Sequence, residues 1–271
     1  MSQAPATTDA LLLEIYDRSR GRDLTAAMLR GMLKQYFAPA QASGKDVTAA
    51  YARMEQLVDK LPLREATTQA LRENLSEPEI LSMVELYRSP LGTRFARFGV
   101  DSAEEVADLV QRWAQEKVII KTLVAAGLGA EAAASLGIDV NAHLEPADWS
   151  KLGAGREAAR SVVSAMGFAD RIEEMVKTQS DALVQQGISP VVVSEADREL
   201  LMDRVAHIYA SYFSVDELKQ LAAFYTTPFG HRFVAITPML GQAGQLAIEQ
   251  WTAAHPGQLE AEIGAIVELL A

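Results

Sequence analysis

Two stretches decide the fold: LSEPEILSMVELYRSPLGTRF at residues 75–95 and FSVDELKQLAAFYTTPFGHRF at residues 213–233. They align without a gap at an offset of 138, and seven of 21 positions are identical: Ser76/Ser214, Glu79/Glu217, Tyr87/Tyr225, Pro90/Pro228, Gly92/Gly230, Arg94/Arg232 and Phe95/Phe233. Most of the others exchange apolar for apolar, as Ile80 for Leu218 and Leu86 for Phe224. The same offset carries Trp113 onto Trp251. Upstream the offset becomes 147, with Ile15 on Val162 and Met28 on Met175, so a net difference of nine residues lies between. A period this long marks a duplicated domain, not the unit of a solenoid, which runs roughly 20–50 residues.

The periodicity is helical throughout. Leu218, Leu221, Ala222 and Tyr225 fall at i, i+3, i+4 and i+7, the stripe of a helix buried along one face. Leu200, Leu201, Val205, Ile208 and Tyr212 do the same, as do Ala27, Met28, Met32 and Leu33, and then Tyr51, Met54, Leu57 and Val58. No two-residue alternation outlasts the three valines at 191–193, and no Asn-Gly hairpin turn occurs. Pro62 interrupts an otherwise helical stretch over 47–74 and predicts a break there. The fold expected is all-α: two tandem helical repeats packed as a two-lobed helical bundle. The expected boundaries are 1–136 for the first repeat, 137–150 for a linker without helical periodicity, and 151–271 for the second.

The repeated residues are mostly punctuation. Ser76-x-x-Glu79 and Ser214-x-x-Glu217 read as capping boxes, in which serine and glutamate satisfy free N–H groups at a helix start. Leu75 or Phe213, just before each serine, then packs on Ile80 or Leu218. Pro90 and Pro228 cannot continue the preceding helix but suit the first position of a new one, behind Ser89 or Thr227 as cap. Gly92 and Gly230 follow one step inside that turn, where the lack of a Cβ lets a neighbouring backbone come close. Phe95 and Phe233 are expected to enter the core just beyond. Tyr87, Arg94, Tyr225 and Arg232 are not explained by the turn. They would satisfy carbonyls freed at a helix end or hold an anion or partner at the new helix start.

These blocks resemble the bacterial family called domain of unknown function 2059. The resemblance rests on the acidic-apolar helix, Phe-Tyr, Thr-Pro-x-Gly and Arg-Phe of 213–233, and 75–95 is a more diverged copy with Leu86 where the family favours phenylalanine. It implies a helical fold and export to the periplasm behind a signal peptide, and it brings no catalytic residues.

Composition narrows the function classes. The chain has 271 residues, 49% of them hydrophobic and 23% charged, as in a soluble globular protein. Acids outnumber bases 36 to 25, for a net charge of −11, and such a chain has no broad basic surface to displace phosphate counterions. Nucleic acid is therefore not an expected partner. Cysteine is absent, which removes disulfides, zinc–thiolate sites and cysteine nucleophiles together. The start, MSQAPATTDA, lacks the basic and apolar regions of a signal peptide, although a small, polar stretch of this kind also follows a removed one. Periplasmic and cytoplasmic locations both stand at this point. No stretch matches the roughly 20 apolar residues of a membrane span.

Other motifs carry less. GLGAEA at 127–132 fits a dinucleotide fingerprint but follows a segment continuous with the Trp113 helix and lacks the full helix such a site requires. The four histidines show no metal-ligand spacing, and no cofactor or metal is expected. The leading function class is a non-enzymatic binding or scaffolding protein of the bacterial envelope. A carrier of an apolar small ligand between the repeats is the second, and an enzyme whose site sequence does not reveal is the third. The partner is thus an unknown protein or a small apolar ligand, with the oligomeric state open.

Overall fold

The computed structural model describes residues 7–114, 144–185 and 193–270. Among the described residues there are 13 α-helices and no strand, so the chain is all-α. In the first copy they are α1 (Thr8–Arg18), α2 (Gly21–Met32), α3 (Lys34–Ala42), α4 (Thr48–Lys60), α5 (Leu63–Asn74), α6 (Glu77–Arg88) and α7 (Pro90–Ala114). In the second they are α8 (Gly155–Ala165), α9 (Phe168–Val184), α10 (Glu195–Tyr212), α11 (Val215–Tyr225), α12 (Pro228–Ala254) and α13 (Gln258–Leu270). A short 3-10 turn, Trp149–Lys151, precedes α8. The GLGAEA stretch and residues 137–143 lie outside the described residues. Among the described residues no helix is long and apolar enough to cross a membrane.

The duplication is written into the packing. In the first copy α1 packs on α2, α5 and α6, and α2 packs on α5. In the second, α8 packs on α9, α10 and α11, and α9 packs on α10. Many of the buried residues correspond. Leu11, Leu12, Ile15 and Tyr16 of α1 match Ala158, Ala159, Val162 and Val163 of α8 at the 147 offset. At the 138 offset Leu63, Ala70, Leu71 and Leu75 match Leu201, Ile208, Tyr209 and Phe213. Ile80, Met83 and Tyr87 likewise match Leu218, Leu221 and Tyr225. The helix break at Pro62 separates α4 from α5 as its ring geometry requires.

By internal contact the chain divides into two compact units. One is Met1–Glu104 with Arg232–Ala271, and the other is Glu105–His231. Both α7 and α12 therefore begin in one unit and end in the other. In the first unit Phe37, Ala50, Met54, Leu57 and Val58 of α3 and α4 form a core cluster with Ile266 and Leu270 of α13. In the second, Trp113 at the end of α7 is fully buried, and its indole N–H donates to the Asp197 carbonyl at 2.9 Å.

Two sequence expectations differ in detail. Met28 is 54% exposed, while Ala26 and Ala27 of α2 and Leu33 just after it are buried. Phe95 and Phe233 are half-buried, and they meet each other edge-on with centroids 6.3 Å apart.

The Pro-x-Gly corner is the same in both copies. Pro90 and Pro228 occupy the first positions of α7 and α12. The Ser89 hydroxyl donates to the Leu86 carbonyl at 2.7 Å and accepts from the Gly92 N–H at 2.9 Å. Thr227 does the same between Phe224 and Gly230, at 2.7 and 2.9 Å. One hydroxyl thus ties the last turn of one helix to the first turn of the next. An added Cβ on Gly92 would lie 1.8 Å from the Leu86 oxygen, and on Gly230 it would lie 2.0 Å from the Phe224 oxygen. Backbone cannot swing aside as a flexible side chain does. Gly92→Ala and Gly230→Ala are each expected to lower stability by about 1–3 kcal/mol, the usual range for overpacking. Equal melting curves for either variant and the parent would refute the close approach.

Candidate binding groove

The repeated polar residues serve the helix starts. Glu79 accepts from the Ser76 N–H at 2.7 Å and from its hydroxyl at 2.6 Å. Glu217 accepts from the Ser214 N–H at 2.8 Å and from its hydroxyl at 2.7 Å. The Ser76 hydroxyl, with its backbone N–H and the nearby Arg232, holds the Glu79 carboxyl below its usual range. Ser194 and Asp197 build a third capping box at the start of α10, with an aspartate in place of the glutamate.

The four residues left unexplained by the turn go to different places. Tyr87 and Tyr225 lie in the packed interior, and burial pushes the Tyr87 phenol well above its ordinary pKa. Arg94 is exposed. Arg232 donates to the Asn74 carbonyl at the end of α5, and its Nε lies 3.6 Å from Glu79. Its guanidinium thus satisfies a freed helix-end carbonyl in the other copy, not in the helix before it.

A different set of residues lines an open groove in the second copy. The groove, of about 830 Å³, runs along α8 past Arg156, Glu157, Arg160, Ser161, Ser164 and Ala165. Glu199 and Met202 of α10 and Thr226 after α11 complete its lining. Beneath it Asp203, only 8% exposed, anchors the structure. The Trp149 indole N–H donates to one of its oxygens at 2.9 Å. The other oxygen accepts from Arg156 at 2.9 and 3.1 Å and from Arg160 at 3.3 Å. Burial alone would raise the Asp203 pKa, but these donors outweigh it and hold the carboxyl ionised below its ordinary range. Arg160 also donates to Glu199. The Arg156 guanidinium stands 5.5 Å over the Trp149 ring, and His207 meets that ring edge-on at 5.2 Å.

The first copy is an internal control for this surface. There Arg88 grips Glu14 with two bonds of 2.6 and 2.8 Å, bridging α1 to α6. Arg88, with Arg18 adding to it, draws the Glu14 carboxyl down to about 2. Arg64 reaches Asp17 at 3.3 Å, bridging α1 to α5. Under the two offsets Glu14 and Arg88 become Ser161 and Thr226, while Asp17 and Arg64 become Ser164 and Met202. All four replacements line the groove. Neither of these two bridges has a counterpart in the second copy, where Arg160 and Glu199 link α8 to α10 instead. The anchor has changed as well, since Arg156, Arg160, Glu199 and Asp203 stand where the first copy has Asp9, Leu13, Leu61 and Glu65.

Removing the anchor tests its weight. Asp203→Asn is expected to lower stability near neutral pH by about 1–3 kcal/mol, the range for a buried hydrogen-bonded group losing its match. Because the folded pKa of Asp203 is depressed, its contribution is present above the ordinary value of 3.8 and disappears as pH falls through the folded pKa. Melting temperatures of variant and parent should converge below that range. A gap of constant size down to the acid limit would show that the carboxylate charge contributes nothing.

The family described as an uncharacterized protein conserved in bacteria, domain of unknown function 2059, matches residues 62–118 and again residues 199–255. The first match covers α5 to α7 and the second most of α10 with α11 and α12, so both Pro-x-Gly corners lie inside it. No curated protein and no solved structure matches the chain. The chain thus carries two tandem matches to the model of this bacterial family.

Proposed function

We propose that the chain is a non-enzymatic binding protein of the bacterial envelope, and that a polar peptide segment of its partner lies in the groove along α8. The observation that carries this reading is that the Glu14–Arg88 and Asp17–Arg64 bridges of the first copy have no counterpart in the second, where the corresponding residues line the groove. A surface whose polar residues differ between two copies of one fold is a place where the copies can differ in use. The groove offers both charge signs and several hydroxyls, with Met202 and small alanines as its apolar part. Such a lining suits main-chain and polar side-chain groups of a peptide. A small apolar ligand needs a concave, mostly apolar enclosure instead. Nor does the groove favour acid–base chemistry, because Asp203 is saturated with donors and its lowered pKa makes it a weak base. The envelope location rests on the family resemblance, and fractionation of the source bacterium tests it directly.

Closing the groove is the experiment. Ser161→Glu with Thr226→Arg transplants the Glu14–Arg88 bridge into the second copy. An exposed pair of this kind changes stability by only about 0–1 kcal/mol, so the fold is expected to survive. A photo-crosslinker at Ser164 should capture a partner in envelope extract from the parent protein and lose it in the double variant. Capture at undiminished yield by a stably folded double variant would remove the groove from the reading.

A further inference from the structure

The charged residues that line the groove are not equally free to meet a ligand. Arg156 and Arg160 both reach Asp203, at 2.9 and 3.3 Å, and Arg160 also donates to Glu199. Two guanidinium charges are thus matched by two carboxylates of the protein itself. Glu157 is different. It lines the groove, is exposed, and forms no ion pair among the described residues. Arg160, three residues further along α8, would be its ordinary helical partner and is engaged elsewhere. Glu199 of α10 receives Arg160 on Oε2 alone, and its Oε1 has no partner among the described residues. Both lining carboxylates belong to the second copy only, since Ala10 and Leu61 hold the corresponding positions in the first. The same sign extends over the compact unit around the groove: residues 105–231 hold 18 acids and 11 bases, a net charge of −7. A field of that sign draws cationic segments in and turns anionic ones away.

Building on the reading of the groove as a peptide site, we infer that it selects a segment bearing a lysine or arginine side chain. Glu157 receives that cation, and the free oxygen of Glu199 is a second acceptor in the same groove. Ammonium and guanidinium groups carry three and five N–H donors, enough to serve both. An acidic side chain would instead find both arginines already paired. Glu157 also lies in the first turn of α8, where a carboxylate suits the helix dipole. That role does not account for Glu199, which stands in the second turn of α10.

The test uses the full-length protein with a photo-crosslinker at Ser164. Its probes are two pools of random-sequence peptides of equal length, one bearing lysine and arginine, the other aspartate and glutamate. The same crosslinker at Asp17, the matching position of the first copy, measures attraction to acidic surface in general. At Ser164 the cationic pool should be captured about three- to fivefold over the anionic one, beyond the ratio at Asp17, which is the weight of one exposed ion pair. Glu157→Gln should bring the ratio down to the Asp17 level, and Glu157→Lys should invert it. A carboxylate that serves only the helix start would lower the melting temperature on removal and leave the ratio unchanged, and that result overturns the inference. Equal capture of both pools at Ser164, above the Asp17 level, or a preference for the anionic pool, overturns the charge selection while the groove stands. Capture of neither pool above the Asp17 level removes the groove as a peptide site, and this inference with it.

Discussion

A carbonyl oxygen pressed against a glycine sets the course of each copy. At the Pro-x-Gly corner the chain must leave one helix and begin another within a few residues, and proline removes the option of continuing straight. The Leu86 and Phe224 oxygens then sit where a Cβ on Gly92 or Gly230 would be. The Ser89 or Thr227 hydroxyl locks the same turn by bonding both helix ends at once.

Much of this was legible because it is local. Capping boxes, the proline stop and the glycine corner depend on residues three or four apart, and the duplication shows them twice. The break at Pro62 and the stripes of α10 and α11 followed from backbone chemistry and helical period alone. Met28 shows the limit of that reasoning: a stripe says that one face is buried, and the neighbouring helices decide how far it reaches.

The groove was not legible from motifs, since nothing in Ser161, Ser164, Met202 or Thr226 names a chemistry. Its signal lay in the comparison of copies at two offsets. Glu14 and Arg88 are 74 residues apart, and only a packed fold shows them to be one bridge. Once that is known, their joint replacement by serine and threonine becomes a single event. Which helix end Arg232 would serve was hidden for a related reason, because the carbonyl it satisfies belongs to Asn74, at 158 residues' separation in the other copy.

The two copies therefore solve one packing problem with different polar devices. The first holds α1 to its neighbours by exposed bridges along the helix, Glu14 to Arg88 and Asp17 to Arg64. The second has moved its strongest polar anchor beneath α8, where the buried carboxylate of Asp203 gathers Trp149, Arg156 and Arg160. Exposed bridges contribute little individually, about 0–1 kcal/mol, so their loss is easily tolerated. A buried, fully bonded carboxylate is far harder to remove, because its partners would be left unmatched in low dielectric. Where the second device stands in for the first, Arg160 and Glu199 link α8 to α10, and the positions of the first copy's two bridges pass to Ser161, Ser164, Met202 and Thr226. An open polar groove is what that exchange leaves behind, on a helix still pinned from below.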